Sequence, residues 1–217
     1  MTVPVSRLLR FPFTLLAVCG LFVAAGCTRS PGDTSAEAGF ARDMATHHAQ
    51  AVEMAFIIRD RTTDEVLRTL AADIIVSQSA QRGMFMAWLQ LWGLPQASSS
   101  PRMTWMTSGS ATSDGGAHQH GGDASGGLAL MAGMATDVEL DALRAATGRD
   151  AEVLFLQLMI RHHEGGVHMA QALLARSTHD DVVPIARSID SSQSGEIQAM
   201  AGMLTTRGAQ PLPALEK

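Results

Sequence analysis

Apolar positions return at helical intervals through most of the chain. Phe40, Met44, Ala51, Ala55 and Ile58 share one stripe when successive residues are turned by about 100°, and Phe155, Met159, Gly166, Ala170 and Leu173 form a second stripe of the same spacing. The two stripes are copies. FARDMATHHAQAVEMA (residues 40–55) lies over FLQLMIRHHEGGVHMA (residues 155–170) at a constant offset of 115 residues, and the register persists downstream, where Ser77-Gln78-Ser79 falls on Ser192-Gln193-Ser194 and Leu89 on Leu204. Each copy spans two successive segments. The pattern predicts an all-α protein: a four-helix bundle made of two repeated helical hairpins, related by an approximate internal two-fold axis.

Residues that start and stop helices set the expected boundaries. Thr34-x-x-Glu37 and Thr62-x-x-Glu65 offer capping boxes for the first two helices, and Gly93 with Pro95 stops the second after Trp92. In the second copy Asp150 is the expected start of helix three, Ser177-x-x-Asp180 repeats Thr62-x-x-Glu65, and helix four ends near Gly208. Pro184 either lies in the first turn of a helix beginning near Asp181, where its missing amide costs nothing, or bends that helix. The hairpins are thus expected at residues 34–92 and 149–208, with a tail at 209–217. Between them, residues 93–148 change character. GSATSDGGAHQHGGDASGG is too rich in Gly, Ser and polar residues to bury a core and is expected as a mobile loop. A short helix over residues 136–146, closed by Gly148, should follow it.

The first 27 residues stand apart from the bundle. Arg7 and Arg10 precede the apolar run FPFTLLAVCGLFVAA and then Gly26-Cys27, the order of a secretory signal. The run is short for a membrane span. Its end, AAGC, resembles the lipobox of bacterial lipoproteins, in which cleavage leaves Cys27 as a lipid-carrying N-terminus joined to the bundle by residues 28–33. An ordinary signal peptide or a short membrane anchor is the alternative. Cys19 would leave with the leader, so no thiol remains for a disulfide or for catalysis. Loss of Arg7 and Arg10 takes the basic residues from 16 to 14 against 21 acidic ones, a balance that disfavours a nucleic-acid partner.

The repeated stripes carry the candidate chemistry. His47 and His48 flank the centre of the first, His162 and His163 that of the second, beside the small residues Ala51 and Gly166. A single histidine on an apolar face is usually a hydrogen-bonded core residue. Four at equivalent positions need partners for eight ring nitrogens, and a metal satisfies several at once. Neutral imidazole suits copper, zinc, iron and nickel. Met44 and Met159 stand four residues before His48 and His163, and Met54 and Met169 seven after His47 and His162. Thioethers select Cu(I) and do little for zinc, so copper, as Cu(I) or Cu(II), is favoured over zinc. Asp43, His168, and the linker residues His118 and His120 are secondary candidates. Met84, Met86, Met200 and Met203 read as core filling, whereas Met103, Met106, Met131 and Met134 stand in a linker with no predicted core to fill.

Other chemistries lack their residues. A carboxylate-bridged di-iron bundle needs Glu-x-x-His motifs, and none occurs; HHEGGVH lacks the His-Glu-x-x-His of zinc proteases. No nucleophile motif, phosphate loop or dinucleotide fingerprint is present, and no enzyme activity is expected. The doubled Met-x-x-His-His-x-x-Ala/Gly-Val-x-Met-Ala, each copy followed by a Gln-bearing second helix, resembles the secreted bacterial family called domain of unknown function 305 over residues 34–208. The resemblance implies a ferritin-like fold of two helical hairpins, with His47, His48, His162 and His163 as its signature, and an association of some members with copper. It departs from the pattern of a metal sponge in the scarcity of methionine and histidine in the linker. The implied protein is a membrane-anchored, extracytoplasmic copper binder for sequestration or delivery, with copper-handling proteins as partners. The alternative is a non-catalytic structural or interaction module with a hydrogen-bonded histidine core.

If Cys27 is acylated, the protein fractionates with membranes, and Cys27→Ser releases it or leaves the leader uncut. Unchanged processing and fractionation of that variant would remove the lipid anchor.

Overall fold

The computed structural model describes residues 30–98, 100–107 and 131–213. Among these residues there are helices and no strands: α1 (Ala36–Arg59), α2 (Glu65–Leu91), α3 (Asp137–Ala145), α4 (Gly148–Leu174) and α5 (Val182–Thr206), with a short 3-10 turn at Thr104–Met106. The chain is all-α, as the periodicity predicts. None of the described helices is long and apolar enough to cross a membrane. Cys27, His118 and His120, and most of the Gly/Ser-rich loop, lie outside the described residues.

Helix starts differ from expectation in an informative way. Ser35 caps α1 instead of Thr34, its hydroxyl accepting from Ala38 N at 3.2 Å. Asp64 caps α2 instead of Thr62, its carboxylate accepting from Val66 N and Leu67 N at 2.9 and 3.0 Å. Thr62 is used elsewhere: its hydroxyl accepts from Asp64 N and donates to Glu152 Oε1 on α4 at 2.6 Å. Its counterpart Ser177 accepts from His179 N and donates to Glu37 Oε1 on α1 at 2.5 Å. The two residues therefore tie hairpin to hairpin. Gly148 opens α4 instead of closing α3, because Ala146 turns into extended conformation between them. The true capping box belongs to α3, where Thr136 and Glu139 cap each other reciprocally. Pro184 falls in the first turn of α5, where it displaces no helical hydrogen bond.

The helix ends repeat too. Gly93 and Gly208 take positive φ (70° and 62°) after α2 and α5. Beyond them, Leu94 N donates to Leu89 O at 2.8 Å, and Ala209 N to Leu204 O at 3.0 Å, each closing a Schellman turn.

Two apolar clusters fill the interior, and each draws on all four long helices. One holds Met54, Ile58, Leu67, Ile74, Phe155, Met159 and Leu204. The other holds Phe40, Met44, Phe85, Leu89, Met169, Leu173 and Ile189. Because Met44 shares a cluster with Met169, and Met54 with Met159, α1 and α4 run antiparallel. On every long helix the residues between the clusters are polar and buried: His47 and His48 on α1, Gln78 on α2, His162 and His163 on α4, Gln193 on α5.

The described parts of the linker fold back onto the bundle, contrary to the expectation of methionines with no core to fill. Trp105 is buried against Gly39, and its Nε1–H donates to Asp43 Oδ2 at 2.8 Å. Met131 is buried in the second cluster, and Met103, Met106 and Met134 pack against it. Conversely, Met84 and Met86 are 36 % and 39 % exposed and fill no core, while Met200 is buried and Met203 packs beside it. Two turns beyond Asp43 along the same face of α1, Gln50 and Ala135 exchange two hydrogen bonds (2.9 and 2.7 Å), and Arg161 pairs with Glu139 through its two terminal guanidinium nitrogens (2.9 and 2.7 Å). This crossover lies so close that a Cβ on Gly165 would overlap the Ala132 carbonyl oxygen.

That contact makes two helical glycines behave oppositely. Gly165→Ala is expected to lower stability by about 1–3 kcal/mol, the usual range for overpacking. Gly202→Ala, where a Cβ meets open space, should raise it by about 0.5–1 kcal/mol. Chemical denaturation of both variants checks the sign of each change.

Candidate metal centre

The polar layer is built where α1 and α4 meet. Small residues make room in it: Ala51 on α1, and on α4 Gly165, which faces the Ala132 carbonyl of the linker, and Gly166, which faces Gln193 of α5. A Cβ on Gly166 would overlap Gln193 Oε1, so the glycine is what lets the glutamine side chain reach in from α5. Helical glycines at such a position cost about 1 kcal/mol each relative to alanine, which marks the approach as one the fold maintains against local preference.

All four signature histidines are fully buried in this layer. His47 and His162 face each other across the internal axis, with ring centroids 3.7 Å apart and planes inclined by 30°. His48 and His163 lie on the flanks. His48 Nε2 is hydrogen bonded to Gln81 Oε1 on α2 at 2.7 Å, and His163 Nε2 to Glu196 Oε2 on α5 at 2.6 Å. Gln81 and Glu196 are themselves separated by the repeat offset, so the two flanks are equivalent by position and different in chemistry.

The remaining nitrogens have no partner. Both ring nitrogens of His47 and of His162, and Nδ1 of His48 and of His163, are buried without a hydrogen bond, six of eight in all; Gln78 Oε1 and both amide atoms of Gln193 share that condition. An unsatisfied buried polar group costs about 1–3 kcal/mol. Six such nitrogens would together offset most of the 5–15 kcal/mol or so by which an ordinary domain is stable. Each neutral imidazole carries one N–H and one lone pair, so the four rings offer four lone pairs in an apolar surround, a donor set that fits a soft or borderline metal ion. The rings are stacked and flanked instead of gathered around a common point: no group of three or more His, Cys, Asp or Glu side chains is poised to hold an ion among the described residues.

The other candidates are distributed around this layer. Met44, Met54, Met159 and Met169 are completely buried, two in each apolar cluster, so thioethers bound the layer from above and below. Asp43 is committed to Trp105 Nε1 and to Met103 N, each at 2.8 Å, and serves to hold the linker. His168 is exposed, away from the layer. A cavity of about 650 Å³ runs between α1 and the linker, lined by Arg42, Asp43, Thr46, Gln96 and Trp105, and does not include the histidines. The sequence motif marks Gln78 and Gln193 only as equivalent positions of the repeat, and it does not mark Gln81 and Glu196 at all. The repeat offset pairs Gln78 with Gln193 and Gln81 with Glu196, and that pairing was the signal available to find them.

The family model for domain of unknown function 305 (DUF305) matches residues 37–204. The chain belongs to the DUF305 family. Its structure resembles that of a DUF305 protein from Streptomyces coelicolor whose name marks it as expected to be secreted, with 47% identity, 83% of this chain and 99% of that one covered, and a TM-score of 0.72. A DUF305 fragment from Deinococcus radiodurans is 32% identical over 79% of this chain and 96% of the fragment, with a TM-score of 0.60. The fold is shared with CopM in its Cu(II)-bound form at 24% identity, covering 79% of this chain and 97% of CopM, with a TM-score of 0.59. CopM also has Cu(I)-bound and Ag-bound structures. Comparison with curated proteins finds no match.

In this DUF305 protein the layer keeps His47, His48 and His162 uncharged. Burial holds His47 well below the ordinary histidine range, helped by the charges that His48 and His163 would carry. Burial likewise depresses His162, with His47 the next contributor. His48 is lowered to about 3, again mainly by burial, although its hydrogen bond to Gln81 acts in the opposite direction. Neutral rings are the form that offers lone pairs to a cation.

A pH dependence follows from these depressed values. Below the unfolded-state value near 6.5, the unfolded chain binds protons at these three histidines that the folded chain does not. The stability of the metal-free protein is therefore fully present above about pH 6.5 and falls as the pH drops toward the folded-state values, by up to about 1.4 kcal/mol per pH unit for each ring. Carboxylates lose their contributions mainly at lower pH, so denaturation between pH 7 and pH 5 isolates the rings. Replacing His47 and His162 together by leucine should flatten that slope. An unchanged slope would show that the two rings do not stay neutral in the folded state.

Proposed function

We propose that this DUF305 protein is an extracytoplasmic copper-binding protein, anchored to a membrane through Cys27, that sequesters copper or hands it on without catalysing a reaction. The observation that supports the reading is the set of six partnerless imidazole nitrogens in a sealed layer. A purely structural histidine core accounts for the two ring nitrogens bonded to Gln81 and Glu196 and leaves the lone pairs of the buried rings without a donor. His47, His48, His162 and His163 would hold the ion. Copper in such a place supplies a soft acceptor for nitrogen and sulfur lone pairs. The flanking thioethers of Met44, Met54, Met159 and Met169 favour copper over zinc, because zinc gains little from thioether sulfur.

The residues of this chain do three further things. Gln81 and Glu196 orient the outer rings, the two apolar clusters exclude water from the layer, and Gly165 and Gly166 let the linker and the Gln193 side chain close over it. Kinship supports the copper reading through CopM, which shares the fold and has been solved with Cu(I), Cu(II) and Ag. The named expectation of secretion for the Streptomyces coelicolor protein supports an extracytoplasmic location. A copper-handling protein that receives or supplies the ion is the partner consistent with this role.

Copper binding to the folded state alone must raise the unfolding temperature as the logarithm of free copper over the dissociation constant, an increment of about 2.7 kcal/mol at 100 times that constant. The expected result is such a shift in the wild type, and its loss when His48 and His163 are both replaced by leucine. A double variant that retains the full shift, or a wild type that shows none with either oxidation state, would leave the histidines as core architecture.

A further inference from the structure

The two halves of the histidine layer descend from one pattern, yet they end in different groups. His48 Nε2 meets the amide oxygen of Gln81, and His163 Nε2 meets a carboxylate oxygen of Glu196, at nearly the same distance (2.7 and 2.6 Å). In both flanks the other ring nitrogen, Nδ1, is buried and unpaired.

The difference decides which nitrogen is free. A carboxylate only accepts, so His163 Nε2 must carry its hydrogen, which leaves Nδ1, buried and unpaired, as the only ring nitrogen that can offer a lone pair. A primary amide both donates and accepts; turned over, Gln81 would serve either tautomer of His48 equally well. A carboxylate behind a ligating ring also raises the basicity of the opposite nitrogen. It adds a full negative charge whose attraction for a doubly charged ion is twice that for a singly charged one at the same distance.

We propose that Glu196 makes His163 the anchoring ligand of the layer, binding through Nδ1, and biases this half toward a divalent cation, whereas the Gln81–His48 half is charge-neutral and weaker. Glu196 is a positioning residue, since it acts through His163. The proposal rests on the copper reading above and goes beyond it by assigning the ligating atom and the source of charge selectivity.

The substitutions Glu196→Gln and Gln81→Glu exchange the chemistry of the two flanks with little change of shape, and the Glu196 side chain is 24% exposed, so both chains should fold. Affinities for Cu(II) and for Ag(I), a monovalent ion that does not change oxidation state, are measured by competition titration on all three proteins. Glu196→Gln should weaken Cu(II) binding about 10-fold and Ag(I) binding about threefold, the square root of that factor. Gln81→Glu should shift the ratio the other way. Nitrogen NMR of the metal-free wild type should place the His163 proton on Nε2, and Glu196→Gln should give a mixture. A Cu(II)-to-Ag(I) ratio that stays constant across the three proteins, or a His163 proton on Nδ1, would overturn the role of Glu196 while leaving copper binding intact. Failure of the wild type to bind either ion would overturn both.

Discussion

Four imidazoles must be housed between two apolar clusters, and the rest of the bundle is arranged around that requirement. Burying so many ring nitrogens works only where two backbones approach closely enough for the inner rings to stack. Around those rings the linker and α5 must also come in close. Gly165 and Gly166 make room for them at the expense of helix propensity, one facing the Ala132 carbonyl and the other the Gln193 side chain. The thicker side chains are displaced to either side, where Phe40 and Phe85 at one end, and Phe155 with its neighbours at the other, form ordinary apolar packing.

Internal symmetry explains how so much polar detail is made from little sequence. The tie between Thr62 and Glu152 has its copy in Ser177 and Glu37, and the bond from Arg42 to the carbonyl of Pro95 has its copy in Gln157 and Gln210. Departures from symmetry are as telling. At one end of the bundle Arg207 pairs with Asp64 and Glu152; at the equivalent place at the other end Trp92 packs against His179, ring centroids 5.7 Å apart. The same backbone geometry is thus closed by charge at one end and by aromatic surface at the other.

The repeat made the helices, their pairing and the four histidines legible, because periodicity and register are properties of the string itself. Less was legible where a side chain's role depends on what lies across space. Thr62 has the spacing of a capping residue, and only the nearness of Glu152 reveals it as a cross-hairpin tie. Asp43 has the look of a ligand beside His47, yet Trp105, 62 residues further on, claims its carboxylate. Composition assigns the linker methionines no core, because it does not show that the chain folds back over α1 and α4. Gln81 and Glu196 sit on the second helix of each hairpin, away from the histidine motif, so motif reading passes over them.

Complete burial of the four rings bears on time as well as on affinity. With all four rings at zero exposure, an ion enters or leaves the layer only when the bundle opens locally. Exchange is then limited by the opening frequency of packed helices, a property of the whole fold. An occupant's lifetime inside would be long even where its equilibrium binding is moderate, and a second protein that loosens α1 from α4 would shorten that lifetime without touching a single ligand atom.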